Sequence, residues 1–287
     1  VTATDESAGV LFRRADEWHV GPLLAFDLET TGVDIETDRI VTAALARVEP
    51  GRPVHRLHMM ADPGIEIPEG ASKIHGITTA VAKQMGKDPK VVINSLLNRF
   101  AVERKASTPL VGMNLSYDLS LLDREMRRHG FGPLQIQVPV IDVAILDKQF
   151  GRRRKGSRRL DALCEFYDVK LEGAHDAMHD AIAAARVAWR MRWLADRPQI
   201  RKYGDFTPIA RMRPDELHDA QVGWRKEQCD SLRAYFDKIG KEHDGVNGEW
   251  PIRSAPEIVD CDACPPDCSE CTRDRTCCEC YTHQPDE

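Results

Sequence analysis

The sequence predicts an α/β fold: a mixed five-stranded sheet flanked by helices, followed by a C-terminal helical extension and a cysteine-rich tail. Three observations carry this expectation. Three strand-like apolar runs follow one another over residues 22–29, 39–48 and 54–61, helical and strand-like segments alternate after them, and the composition changes sharply near residue 254. Successive strands followed by alternating helices and strands suit a mixed sheet covered by helices.

In chain order, residues 1–19 are polar and read as a leader. The strands Pro22–Glu29, Arg39–Val48 and Val54–Ala61 come next, with the turn chemistry of EPGRP between the last two. PEGASKIHGITTAVAKQMG (68–86) and DPKVVINSLLNRFAVERKAS (88–107) read as helical, the second with Val91, Leu96 or Leu97, and Phe100 at helical spacing. TPLVGMN (108–114) is a short buried strand, and SYDLSLLDREMRRHG (116–130) is a helix that stops at Gly130. QVPVIDVAIL (137–146) supplies the last strand. RRLDALCEFYDV (158–169) and HDAMHDAIAAARVAWRMRWLA (175–195) are helices, the longer with Ile182, Ala185, Trp189 and Trp193 on one stripe. These elements make one domain over 20–195. An extension over 196–253 contains one amphipathic helix (214–240) whose apolar members Leu217, Trp224, Leu232, Tyr235, Phe236 and Ile239 should pack on the main domain.

The 287 residues contain no apolar run of membrane-spanning length and no export signal, so the expected location is cytoplasmic. Net charge is −6, but residues 254–287 hold nine acids against two basic residues, a balance of −7 that leaves the rest of the chain at +1. Overall acidity therefore does not exclude a nucleic-acid partner. Seven of nine cysteines share that tail, while Cys164 and Cys229 read as small core residues.

FDLETTG (26–32) places Asp27 and Glu29 at positions i and i+2 of an apolar strand, where both point to one face. Two neighbouring carboxylates repel, and burying them is unfavourable unless a cation compensates. All-oxygen ligands of high charge suit Mg²⁺ or Mn²⁺. An isolated pair also fits a solvated strand end, but this pair has company. NLSYD puts Asp118 in the first turn of a helix after a buried strand, and HDAMHD brings His175 and Asp180 to the head of the long helix. Asp142, after the last strand, reads as a structural cap.

DLETTG, NLSYD and His-x4-Asp, in this order and at these separations, resemble the three motifs of the DnaQ-like, DEDDh-type 3′–5′ exonucleases, which include the proofreading subunit of bacterial replicative polymerases. SKIHGIT (72–78) and VIDV with RRLDALCEFYDV resemble further segments of that family. The resemblance implies a ribonuclease H-like fold and release of nucleoside 5′-monophosphates from DNA 3′ ends, single-stranded DNA being favoured. By it, Asp27, Glu29, Asp118 and Asp180 would hold two Mg²⁺ or Mn²⁺ ions, with His175 as general base. Only His175 with Asp180 has the family spacing, which leaves Asp176 near the helix N-terminus and His179 peripheral. Thr30, Thr31 and Gly32 are expected near the 3′-terminal nucleotide, His75 either near the substrate or packed in the core, and Asn114 is expected to brace the second motif.

GRRRKGSRR (151–159) carries six positive charges, and Arg152, Arg153 and Arg154 are candidate phosphate contacts. A short basic run is usually a solvated loop, but this one lies between the fifth strand and the helix leading to the third motif, so both readings stand. In the tail, Cys261, Cys264, Cys268, Cys271, Cys277, Cys278, Cys280 and His283 offer a zinc site, since thiols stay reduced in a cytosolic chain. The two CxxC pairs are three residues apart, tighter than a zinc ribbon, so an acidic segment without a fixed metal is the alternative. The leading functional reading is a DNA exonuclease of proofreading or repair type, with a polymerase or repair protein as partner. The alternatives are an exoribonuclease like ribonuclease T or oligoribonuclease, and a non-enzymatic binding module acting through the tail.

Overall fold

Apolar alternation over Leu23–Thr30 (β1), Ile40–Val48 (β2) and His55–Met60 (β3) produces an antiparallel meander in the structure, a computed structural model that describes residues 18–151, 154–173 and 175–256. Two short strands, Leu110–Gly112 (β4) and Val140–Asp142 (β5), add in parallel to the other edge of β1, giving the order β3-β2-β1-β4-β5. Parallel neighbours need crossover connections. Helices α1 (Glu69–His75), α2 (Thr79–Met85) and α3 (Pro89–Lys105) precede β4, and α4 (Leu115–Arg128) links β4 to β5. After β5 come α5 (Val143–Phe150), α6 (Leu160–Phe166), α7 (Ala177–Ala195) and α8 (Pro214–Ile239).

Two sequence expectations are corrected. The helical stretch over 68–86 is two helices, because Gly76 adopts φ +77° and ends α1 while Thr78 caps α2. The strand expected over 137–146 ends at Asp142, whose side chain accepts the Ala144 N–H at 2.9 Å and starts α5. Val143 to Leu146 are four successive apolar residues, and such a run has no period to separate strand from helix.

The sheet is covered on both faces. Leu23 and Ala25 of β1 join a core beneath α7, whereas Leu24, Phe26 and Leu28 join a second core with residues of α3 and α4. Cys164 and Cys229 are buried free thiols. Gly112 is obligatory at the end of β4, because a Cβ there would lie 2.7 Å from the Phe26 carbonyl oxygen.

α8 packs on β5 and α5, as expected of its apolar stripe, although Tyr235 and Ile239 at its far end are exposed. It covers the sheet edge with two side chains, His218, whose Nδ1 accepts the Val140 N–H at 3.1 Å, and the buried Gln221. The Gln221 amide accepts the Asp142 N–H at 2.8 Å and donates to the Val140 carbonyl at 2.9 Å, standing in for a further strand. The chain then returns over α4. The Trp250 ring packs at a tilt against His218, the Arg253 N–H donates to Ser120 Oγ at 2.8 Å, and the Arg124 guanidinium donates to the carbonyls of Arg253 and Ser254. No helix among the described residues is long and apolar enough to cross a membrane.

Candidate active site

Asp27 and Glu29 lie on the face of β1 that meets α7, one step further along than Leu23 and Ala25. The β1–β2 register shifts between Glu29 and Thr30, and such an irregularity re-aims the strand end where the acids sit. The first turn of α7 contributes Asp180. One carboxylate oxygen from each of Asp27, Glu29 and Asp180 lies within 4.8 Å of the others. The His175 N–H donates to Asp180 Oδ2 at 3.2 Å, while Oδ1 is buried without a partner among the described residues. Asp118 arrives from the opposite helical layer. It is buried and accepts the Leu28 N–H at 3.2 Å, reaching around the end of β1.

Electrostatics marks this group as incomplete by itself. Burial, then the charges of Asp118, Glu29 and Asp180, push the Asp27 carboxyl well above the usual range. Burial and the neighbouring Asp180 and Asp176 raise Glu29 to about 7. Burial also raises Asp118 and Asp180, against the hydrogen bonds each receives from the backbone. Clustered acids of this kind are relieved by a cation. The all-oxygen donor set and the orphaned Asp180 Oδ1 fit a hard divalent ion.

The placement of Asp118 depends on the start of α4. The sequence reading gave Asn114 the bracing role, but its side chain is exposed and makes no capping bond. Asp142 does the bracing. Its Oδ1 accepts the Asn114 N–H and its Oδ2 the Leu115 N–H, both at 2.9 Å, with Asn114 at φ +59°. Asp142 is therefore the structural cap that its position after a strand suggested, serving two helices at once.

A cleft of about 400 Å³ adjoins the acids, lined in part by Glu29, His58, His75, His175 and Asp176. His175 holds φ +65°, a conformation uncommon outside glycine. Asp176 caps α7, accepting the N–H groups of Met178 and His179 at 3.0 and 3.1 Å. His179 is not among the residues lining the cleft; its ring stands beside Gly173, with Nδ1 3.5 Å from Asp176 Oδ1. The structure thus brings His175, Asp27, Glu29, Asp118 and Asp180 together.

The other candidates divide. His75 lines the cleft with Nδ1 accepting the Ile77 N–H at 3.2 Å, and burial lowers its pKa. The Thr31 hydroxyl is buried and donates to Asp38 Oδ1 at 2.6 Å. The Gly32 carbonyl accepts from Tyr117 at 2.5 Å and from Thr30 Oγ1 at 2.7 Å. Tyr117 ties the DLETTG turn to the second motif and was not singled out by sequence, although its place beside Asp118 was a signal. In the basic loop, Arg154 is turned inward to Asp147 at 3.3 Å, with Arg158 on the same carboxylate and Phe166 under the Arg154 guanidinium. Its charge is committed, unlike that of a phosphate contact. Arg152, Arg153, the tail cysteines and His283 lie outside the described residues.

Comparison with known proteins agrees with this geometry. The RNase T family model, described as Exonuclease, matches residues 24–188. Relatives named DNA polymerase III PolC-type are 29% identical over 168 residues in Lacticaseibacillus paracasei and 30% over 181 residues in Halalkalibacterium halodurans. The matches cover 58% and 61% of this chain but only 11% and 12% of those proteins. E. coli Exonuclease I in complex with a dA16 oligonucleotide superposes with a TM-score of 0.52 at 21% identity, over 62% of this chain and 42% of that one. The fold is shared at that level.

Proposed function

Since the chain belongs to the RNase T exonuclease family, whose model spans residues 24–188, we propose that it is a metal-dependent 3′–5′ exonuclease that releases nucleoside 5′-monophosphates from DNA ends. The single observation that carries this reading is the convergence of Asp27, Glu29 and Asp180 within 4.8 Å, with Asp118 buried alongside and His175 at the mouth. Bound divalent ions, Mg²⁺ or Mn²⁺, would supply Lewis-acid polarisation of the phosphate and of the attacking water. Asp27, Glu29 and Asp180, with Asp118 alongside, would hold them.

The protein's own groups do the rest. The His175 imidazole accepts the proton of the attacking water, and its backbone N–H keeps Asp180 aimed at the acids. Tyr117 and Thr30 fix the turn beside the cleft, which receives the 3′-terminal nucleotide next to His75. DNA is favoured over RNA because relatives carry the name DNA polymerase III and a structural neighbour was solved with a dA16 oligonucleotide. The same reading gives the protein a proofreading or repair role with a polymerase or repair partner in the cytoplasm, and gives the tail cysteines a separate Zn²⁺.

The test is a 3′-labelled single strand, as DNA and as RNA, incubated with Mg²⁺, Mn²⁺ or EDTA. Mononucleotide release from DNA with metal, absent in EDTA and in Asp27→Asn, is the expected result. Release that persists in EDTA or in Asp27→Asn removes the metal mechanism, and faster release from RNA changes the substrate.

A further inference from the structure

Three half-buried cations gather beyond the end of β5: Lys148 of α5, Arg225 of α8 and Arg253 of the returning segment. Shared neighbours bring them together. Gln228 of α8 donates to the Ile145 carbonyl at 3.1 Å, which sets the Arg225 turn against the Lys148 turn. Arg225 and Cys229 both reach the Asn247 carbonyl, at 2.9 and 3.2 Å, and six residues later Arg253 is pinned to Ser120. None of the three forms an ion pair among the described residues. The Nε atoms of Arg225 and Arg253 are buried without a hydrogen-bond partner there.

Such a cluster is costly in the free protein. Burial, then the charge of Arg225, lowers the pKa of both Lys148 and Arg253. Asp142 is the nearby counter-charge, but it already accepts from Asn114, Leu115, Ala144 and Trp250. Unpaired guanidinium donors are suited to phosphate, which offers charge and several acceptor oxygens together. The position also fits. Arg253 acts electrostatically on Tyr117, whose hydroxyl touches the DLETTG turn, and Asp142 beneath the cluster holds the start of α4 that carries Asp118.

We propose that Lys148, Arg225 and Arg253 form a phosphate site that takes a backbone phosphate of the strand whose 3′ end occupies the acid cleft, so that α8 and the segment after it are part of the substrate surface. This rests on the nuclease reading above. The competing occupant is the chain's own acidic tail, which follows Arg253 closely and carries a charge of −7.

The test is anisotropy of a fluorescent 20-nucleotide DNA strand in EDTA over a salt series. It uses the full chain, a chain ending at Pro256, and the double variant Lys148→Gln/Arg225→Gln in both, with Lys148→Arg/Arg225→Lys as the charge-preserving control. Loss of one phosphate contact should flatten the log–log salt slope by about 0.7 for a single strand. Affinity at low salt should fall about tenfold in the Gln variant and recover in the control. If the wild type binds and the Gln variant has the same affinity and slope, the phosphate site is wrong while the nuclease reading stands. If the wild type shows no salt-dependent binding, the nuclease reading itself fails. If the Gln variant matters in the full chain but not in the shortened one, the cluster serves the tail and the proposal is overturned.

Discussion

Replacing Glu29 with Gln should stabilise the metal-free protein at alkaline pH, although it removes a residue of the active site. Burial and the neighbouring Asp180 and Asp176 lift the Glu29 carboxyl from 4.5 to about 7. Because the folded value lies above the unfolded one, the protonated form is the stabilising one. That stability is present at low pH, declines as pH rises from 4.5, and is gone above about 7. A displacement of that size corresponds to at most about 3.4 kcal/mol. Glu29 is only half-buried, so solvent screening reduces the expected difference to about 2 kcal/mol. Urea unfolding of wild type and Glu29→Gln in EDTA, at intervals from pH 5 to 8.5, measures it. The variant should be the more stable at pH 8, with the gap closing toward pH 5. With Mg²⁺ at a hundredfold over its dissociation constant the wild type should gain about 2.7 kcal/mol, and the variant much less. A variant that is less stable than wild type at pH 8 in EDTA, or a gap that does not depend on pH, would refute the electrostatic account.

Three further outcomes follow. His175→Ala should lower turnover about 10²–10⁴-fold while His179→Ala changes it little, and steady-state kinetics showing the reverse would reassign the base. Asp142→Ala should destabilise the fold by about 3 kcal/mol or more, because it leaves the buried N–H groups at the starts of α4 and α5 unpaired, and it should lose activity through misplaced Asp118; a denaturation midpoint close to wild type would contradict this. A chain ending at Pro256 should keep activity on a short oligonucleotide and lose about one zinc if four tail thiolates hold a metal, which elemental analysis of both forms decides. The cut is set there because the Ser254 carbonyl accepts from Arg124 at 2.7 Å.

The local signals in the sequence determine much of this protein. Strand alternation requires Asp27 and Glu29 to share a face, and the His-x4-Asp pattern places His175 and Asp180 together at the head of the long helix. The motifs around them are enough to point to the exonuclease-like domain, a mixed sheet, the cap at Asp142 and a place for Asp176 near a helix N-terminus. Short apolar runs were ambiguous for the same local reason: Val143 to Leu146 would serve equally well in a strand until Asp142 caps a helix there.

What only the tertiary structure decides concerns groups far apart in the chain. Asp118 comes from the layer opposite α7, so its distance to Asp27 depends on α4 being held by Asp142, twenty-four residues downstream, and on the close approach of Gly112 to Phe26. Arg154 belongs to a run of positive charge that sequence offers to phosphate or to solvent, yet the buried Asp147 carboxylate draws it inward, because a buried charge requires a partner. Lys148, Arg225 and Arg253 carry no motif at all. Their convergence exists because Gln221 docks α8 on β5 and Trp250 brings the chain back over α4, contacts that no local pattern encodes.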